Sequence, residues 1–201
     1  MGVVQGLKGG EMKVAVVVGG ANTVLQEVAL TRDLLGSTEC TYFVCNSMIP
    51  LFAGPIIAVT LHPMELRHWL SCRELNGHPK PLSVWAHELR SRHVPPGLVT
   101  HAIEDWHDGC GLFGARIALH LGFNRIILCG VPMQAEALHF RGHKSGDKLW
   151  VAAQTFIARG WLNPKIKLDR VSEIKPFVRS WGGWTGEQLG VPTKEWLHSV
   201  P

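Results

Sequence analysis

The stretch from Asp108 to Met133 constrains the fold of this chain more than any other. It opens with the small residues Gly109-Cys110-Gly111, runs through an apolar helix-like segment from Leu112 to Leu121, and turns at Gly122. Arg125 to Cys129, closed by Gly130, is the short apolar run of a strand buried on both faces. A helix entered from a glycine-rich loop and followed at once by such a strand is half of an α/β unit. In open sheets of that class, ligands gather outside the carboxyl ends of the strands. Small residues at 109, 110, 111 and 114 let a ligand approach the N–H groups at a helix start. They also let a helix lie close to a sheet, and this stretch alone leaves the two readings even.

The preceding chain repeats the alternation. Met12 to Val18 is a β-branched run ending at Gly19-Gly20. Asn22 or Thr23 is placed to cap a helix from Val24 to Leu35, with Leu25, Val28, Ala29 and Leu35 as its apolar stripe and Gly36 as its stop. Strands are expected at Thr41 to Cys45, Ile56 to Leu61, Leu82 to Ala86 and Val99 to Ile103. A further helix is expected from Met64 to Leu75, and Ser91 to Gly97 reads as loop. Beyond Met133, Ser145 to Arg159 reads as a helix and Ile166 to Val171 as a weak strand. The Gly-, Pro- and Trp-rich tail from Trp181 is expected to fold back over the sheet. The pattern predicts an α/β, Rossmann-like, mostly parallel doubly wound sheet with helices on both faces. It is expected to form a single domain over residues 1–201, with a core at 13–133 and a lid plus C-terminal extension at 134–201.

The 201 residues suffice for one sizeable core, and 46% hydrophobic with 18% charged residues is ordinary for a folded protein. No apolar run is long enough to span a bilayer. Met1 to Lys13 lacks the apolar core of a secretory signal, so a cytoplasmic protein is expected. The five cysteines are scattered, which argues against a disulfide framework. A net charge of +4 without a Lys/Arg block fits small anionic ligands, such as nucleotides, as well as it fits nucleic acid, and a nucleic-acid partner is not expected. The sequence leaves homo-oligomerisation open.

Four segments, taken in order, resemble one superfamily. They are Val17-Val18-Gly19-Gly20-Ala21-Asn22-Thr23-Val24-Leu25, Phe43-Val44-Cys45-Asn46-Ser47, Thr60-Leu61-His62-Pro63, and Asp108 through Gly130-Val131-Pro132. They are similar to the bacterial sialyltransferases of glycosyltransferase family 42. They are equally similar to the motility-accessory flagellin glycosyltransferases and the archaeal hydroxymethylpterin diphosphokinases. The resemblance spans about residues 13–133. It implies a nucleotide or nucleotide sugar as partner. Gly19, Gly20 and Asn22 would lie along its phosphates, Thr23 would join them in binding the nucleotide or substrate, and Asn46 would lie on the donor sugar or phosphate. His62 would sit beside the transferred group, Cys110 and Gly111 near the nucleotide, and Gly130, Val131 and Pro132 on the base or ribose.

The departures from that pattern are informative. Asn22-Thr23 stand where the family has Pro-Ser, Cys110 where it has a hydroxyl residue, and Pro132 where it has an aspartate. The lost aspartate bears on the diphosphokinase branch, which would use Mg²⁺, while the sialyltransferase branch implies metal-independent transfer with no required cofactor. The tyrosine pair that those transferases place on the leaving phosphate is missing, because Tyr42 is the single tyrosine.

Sugar transfer needs donors for the departing phosphate and a base for the acceptor hydroxyl. Leu138 to Lys144 supplies candidates where the family has a mobile lid: His139 or His143 as the base and Arg141 on phosphate, with His62 as a third catalytic candidate. A basic surface loop is the plainer reading of that stretch. Asp105, His107 and Asp108 read first as a loop with a helix cap. Pairs such as His101 with His107 and Cys110, or His139 with His143, have zinc-like spacing. With eleven histidines such pairs arise by chance, and no metal site is expected. Trp181, Trp184 and Trp196 read as packing of the tail. The leading expectation is a nucleotide-sugar-dependent glycosyltransferase-like protein. The alternatives are a Mg-ATP-dependent diphosphokinase of pterin type, and a non-catalytic nucleotide-binding or assembly protein on the same fold.

Overall fold

Val14–Val18 forms β1, a strand with all five residues buried. The computed structural model describes residues 11–104, 109–133 and 170–199. After β1 come α1 (Val24–Leu35), β2 (Cys40–Cys45), β3 (Ile57–Thr60), α2 (Leu66–Leu75), β4 (Ser83–His87), the short α3 (Glu88–Ser91) and β5 (His101–Ile103). They are followed by α4 (Cys110–His120), β6 (Arg125–Cys129), α5 (Arg170–Ile174), β7 (Val178–Ser180), α6 (Gly183–Leu189) and α7 (Lys194–His198).

The strands form one seven-stranded sheet in the order β5-β4-β3-β2-β1-β6-β7. Every neighbouring pair is parallel. From β1 the chain steps outward through β2, β3, β4 and β5, then returns to pair β6 with the other side of β1. That reversal puts a topological switch point between the carboxyl ends of β1 and β6, where Val18 lies opposite Cys129.

The two faces are covered separately. Val14, Val16 and Val18 point into a layer with Val24, Val28 and Leu35 of α1 and Leu66 and Trp69 of α2. Ala15 and Val17 point the other way, into Leu112, Phe113, Ile117 and Ala118 of α4. This period-2 division of a continuously apolar strand is what a parallel sheet sandwiched between helices requires. Gly114 makes the second contact close: a Cβ there would stand 2.9 Å from Val17 Cγ1. The small residue at 114 therefore serves helix-on-sheet packing.

Two expectations change. The Ile166–Val171 strand is not found at its described end, where Val171 lies in α5 and buries its side chain with Ile174 in the α4 layer. The strand beside β6 is β7, a three-residue segment too short for its pattern to stand out. The apolar stripe of α1 is also rotated. Leu25 is 73% exposed and Ala29 is exposed, while Val24, Glu27, Val28, Thr31 and Leu35 are buried. The tail does pack on the sheet: Trp196 and Leu197 of α7 join the α1 layer. Arg125 anchors them, donating from Nε to the carbonyls of Trp196 and Leu197 at 3.0 and 3.0 Å with its guanidinium 5.5 Å from the Trp196 ring centre.

Among the described residues, no helix is long and apolar enough to cross a membrane.

Candidate functional site

At the switch point the two glycine loops close on each other. The Gly19 N–H donates to Cys129 O at 2.7 Å, and the Ala21 N–H to Gly130 O at 3.1 Å. A Cβ on Gly19 would stand 2.4 Å from Gly130 O, and one on Gly111 would stand 2.5 Å from Val131 Cγ1. Gly130 has φ +68, a conformation that favours glycine, and its N–H donates to Glu27 Oε2 at 2.7 Å. The N–H groups of Gly19 and Gly130, expected on a ligand's phosphates or base, are thus bound within the chain. The spaces beside Gly19 and Gly111 are filled by Gly130 and Val131.

Val131 and Pro132 are sealed from the other side. Thr185 Oγ1 donates to Val131 O at 2.5 Å, the Thr185 N–H reaches Pro132 O at 3.3 Å, and Gly183 lies directly against Pro132. A base or ribose could pack on these residues only by displacing the start of α6. Asn22 and Thr23 are exposed at the start of α1, Gly20 is half-buried, and Thr23 makes no side-chain cap bond.

A second group of residues, at the carboxyl ends of β2 and β3, forms a polar relay. The His62 backbone N–H donates to Thr60 Oγ1 at 2.7 Å, and Thr60 Oγ1 donates to Asn46 Oδ1 at 2.9 Å. Asn46 Nδ2 then donates to Cys110 Sγ at 3.0 Å, at the start of α4. Aligned donors polarise one another in such a chain. Asn46 is held in the left-handed region at φ 50, a conformation asparagine adopts more readily than most side chains. Its carboxamide is fixed at both ends. An amide has two N–H donors and two carbonyl lone pairs, so beyond these bonds one of each can meet a ligand.

The electrostatics follow from burial and from one cation. Burial raises the Cys110 thiol pKa above its ordinary range, against smaller opposing effects of hydrogen bonds from Leu61 and Asn46 and of nearby Arg90. Burial also holds the Cys45 thiol well above its usual range, and it donates to Cys110 O at 3.3 Å. Both are therefore neutral thiols at pH 7. The His62 pKa is lowered, first by partial desolvation of a ring that still reaches solvent and then by Arg90, while Glu65 opposes. An imidazole so shifted is neutral at pH 7 and able to accept a proton. Arg90 is exposed, and its Nη1 donates to Leu61 O at 2.8 Å.

Of the residues expected from sequence, the structure therefore brings together the side chains of Asn46 and Cys110 and the backbone of His62. It adds Thr60 and Arg90. Thr60 lies in the quoted Thr60-Leu61-His62-Pro63 step, but Arg90 carried no local pattern. Tyr42 is away from this edge, its ring 4.7 Å from Phe52. His139, Arg141 and His143, with Asp105, His107 and Asp108, lie outside the described residues. Among the described residues, no three His, Cys, Asp or Glu side chains gather into a group able to hold a metal ion.

No family model, curated protein or solved structure matches this chain.

Proposed function

We propose that this protein binds a nucleotide sugar at the carboxyl edge of β2 and β3 and transfers its sugar without a metal. The observation that carries this reading is Asn46, locked between Thr60 and Cys110 in a left-handed backbone conformation at a sheet edge where α/β folds bind ligands. Asn46 meets the sugar or phosphate with its remaining donor and acceptor. Arg90 lies within electrostatic reach of both His62 and Cys110 and attracts the phosphates. His62, neutral at pH 7, takes the proton of the acceptor hydroxyl. The first glycine loop and the Val131–Pro132 turn act as a rigid back wall rather than as ligand-contacting loops.

A second reading is a nucleotide-binding or assembly protein without catalysis. It is favoured by the position of Tyr42, which packs on Phe52 and accepts from Arg32 Nε at 3.5 Å rather than facing a leaving phosphate.

The test is thermal shift with CMP-, UDP- and GDP-sugars, free nucleotides and ATP, each with and without Mg²⁺, followed by a transfer and hydrolysis assay. Metal-independent stabilisation by a nucleotide sugar, with turnover, is the expected result. Stabilisation without turnover assigns the second reading. A response confined to Mg²⁺-ATP assigns a diphosphokinase instead, and no response to any of them overturns nucleotide binding altogether.

A further inference from the structure

We infer a second ligand site, for a small amphipathic anion, at the opposite end of the sheet. A cavity of about 470 Å³ lies between α2, the start of β4 and the Gly97–Thr100 segment. That volume is in the range of small-molecule sites, roughly 300–1,000 Å³. Val84 is the second residue of β4 and Thr100 immediately precedes β5, so this cavity opens at the amino ends of the strands whose carboxyl ends face the candidate transfer site.

The lining divides into a floor and a rim. Leu70, Val84 and Leu98 make the floor, Val84 being 5% exposed. Two polar lining residues are already committed, the first being Thr100, whose Oγ1 receives the Val84 N–H at 2.8 Å and lies 3.0 Å from Val84 O. The Arg73 guanidinium is likewise committed, donating to Pro79 O, Ile49 O, Phe52 O and Gly54 O at 2.6, 2.8, 2.6 and 2.5 Å. With Ser71 and the half-buried His78 also on the lining, recognition is left to apolar contact below and to charge and hydrogen bonding above. The exposed rim carries Arg67 and Lys80 against the single carboxylate of Glu74. An apolar floor beneath a net positive rim complements a molecule with a flat apolar body and one acidic group. A neutral ligand gains nothing from the rim, and a polyanion such as a nucleotide finds too little positive charge above an apolar floor.

The probe is 8-anilinonaphthalene-1-sulfonate, with its uncharged parent N-phenyl-1-naphthylamine as control, titrated against the full chain by fluorescence and calorimetry. Saturable binding at one site per chain is expected. Arg67→Glu and Lys80→Glu should each weaken the sulfonate by about tenfold and leave the uncharged parent unchanged. Leu98→Trp, which fills the cavity, should weaken both. Melting temperatures report folding, since Arg67 and Lys80 are exposed and their replacement leaves the core intact. Three results would each overturn the site. One is no saturable binding to the full chain. Another is sulfonate binding that all three folded variants retain. The third is competition by the nucleotides that occupy the carboxyl edge.

Discussion

Asn46 and Cys110 are 64 residues apart in the chain, yet the Asn46 carboxamide donates to the Cys110 sulfur at 3.0 Å. The bond ties the end of β2 to the first residue of α4. Asn46→Gly keeps the left-handed backbone and removes the carboxamide. We expect it to lose the nucleotide-sugar response while its unfolding free energy changes by no more than about 1–2 kcal/mol. Asn46→Ala loses the same response and costs about 1–2 kcal/mol more, because a Cβ side chain without a local hydrogen bond is strained at φ 50. Paired urea melts and ligand titrations separate the two effects, and an Asn46→Gly protein that still responds to the ligand would refute the role of the carboxamide.

Gly111 and Val131 form a lock of a different kind. Gly111→Ala forces a methyl against the Val131 side chain and should cost about 1–3 kcal/mol. Val131→Ala opens a small cavity with its own cost. The double variant should be more stable than the sum of the two single losses predicts, by 0.5 kcal/mol or more. Strict additivity in denaturant titrations would show that the two residues do not touch.

Glu27 is 7% exposed and its carboxylate receives the Gly130 N–H. Glu27→Gln retains a carbonyl acceptor of the same length, whereas Glu27→Ala leaves a buried N–H without a partner. The alanine variant should therefore be the less stable by about 1–3 kcal/mol. Equal melting temperatures for the two would show that water replaces the carboxylate.

Arg73 is among the largest fully buried side chains and binds four carbonyls across the Ile49–Gly54 loop and Pro79. Arg73→Met fills much of the volume but orphans those acceptors, and a loss of about 3–5 kcal/mol is expected. Arg73→Lys keeps the charge but lacks the planar fork, and should recover only part of the loss. Full recovery by lysine, measured by chemical unfolding, would reduce the role of Arg73 to charge alone.

The buried thiols make stability fall at high pH. Burial pushes Cys129 up to about 12 from its ordinary 9.0, and Cys45 also lies well above that value. Between pH 9 and 12 the unfolded chain has released the Cys129 proton while the folded chain retains it. Unfolding then releases a proton, so its free energy drops by up to about 1.4 kcal/mol per pH unit for each such thiol. Below pH 9 the contribution is complete and constant. Cys129→Ala should lower stability at pH 8 and flatten the decline from pH 9 to 11. An unchanged slope would mean that another group titrates there.

Much of the fold was legible because its signals are local. Val24–Leu35 and Arg125–Cys129 have the boundaries expected from sequence, one fixed by its glycine stop and the other by flanking turns. Glu27 and Arg90 were not legible as site neighbours. The burial of Glu27 depends on which side of α1 meets β6, and the importance of Arg90 depends on β4 lying beside β3. Neither fact has a periodic trace in the residues themselves.

The sequence by itself determined an alternating α/β chain, a β1 strand buried on both faces, and an asparagine and a histidine at strand ends, since hydrophobic period and turn residues act over a few positions. The tertiary structure decided the strand order with its switch point between β1 and β6, the edge strand β7, and the use of the glycines. From sequence Gly19, Gly111 and Gly130 suit a ligand or a neighbouring chain segment equally well, because a missing Cβ serves either. Only the folded chain shows that Val131 and Gly130 occupy the spaces beside Gly19 and Gly111.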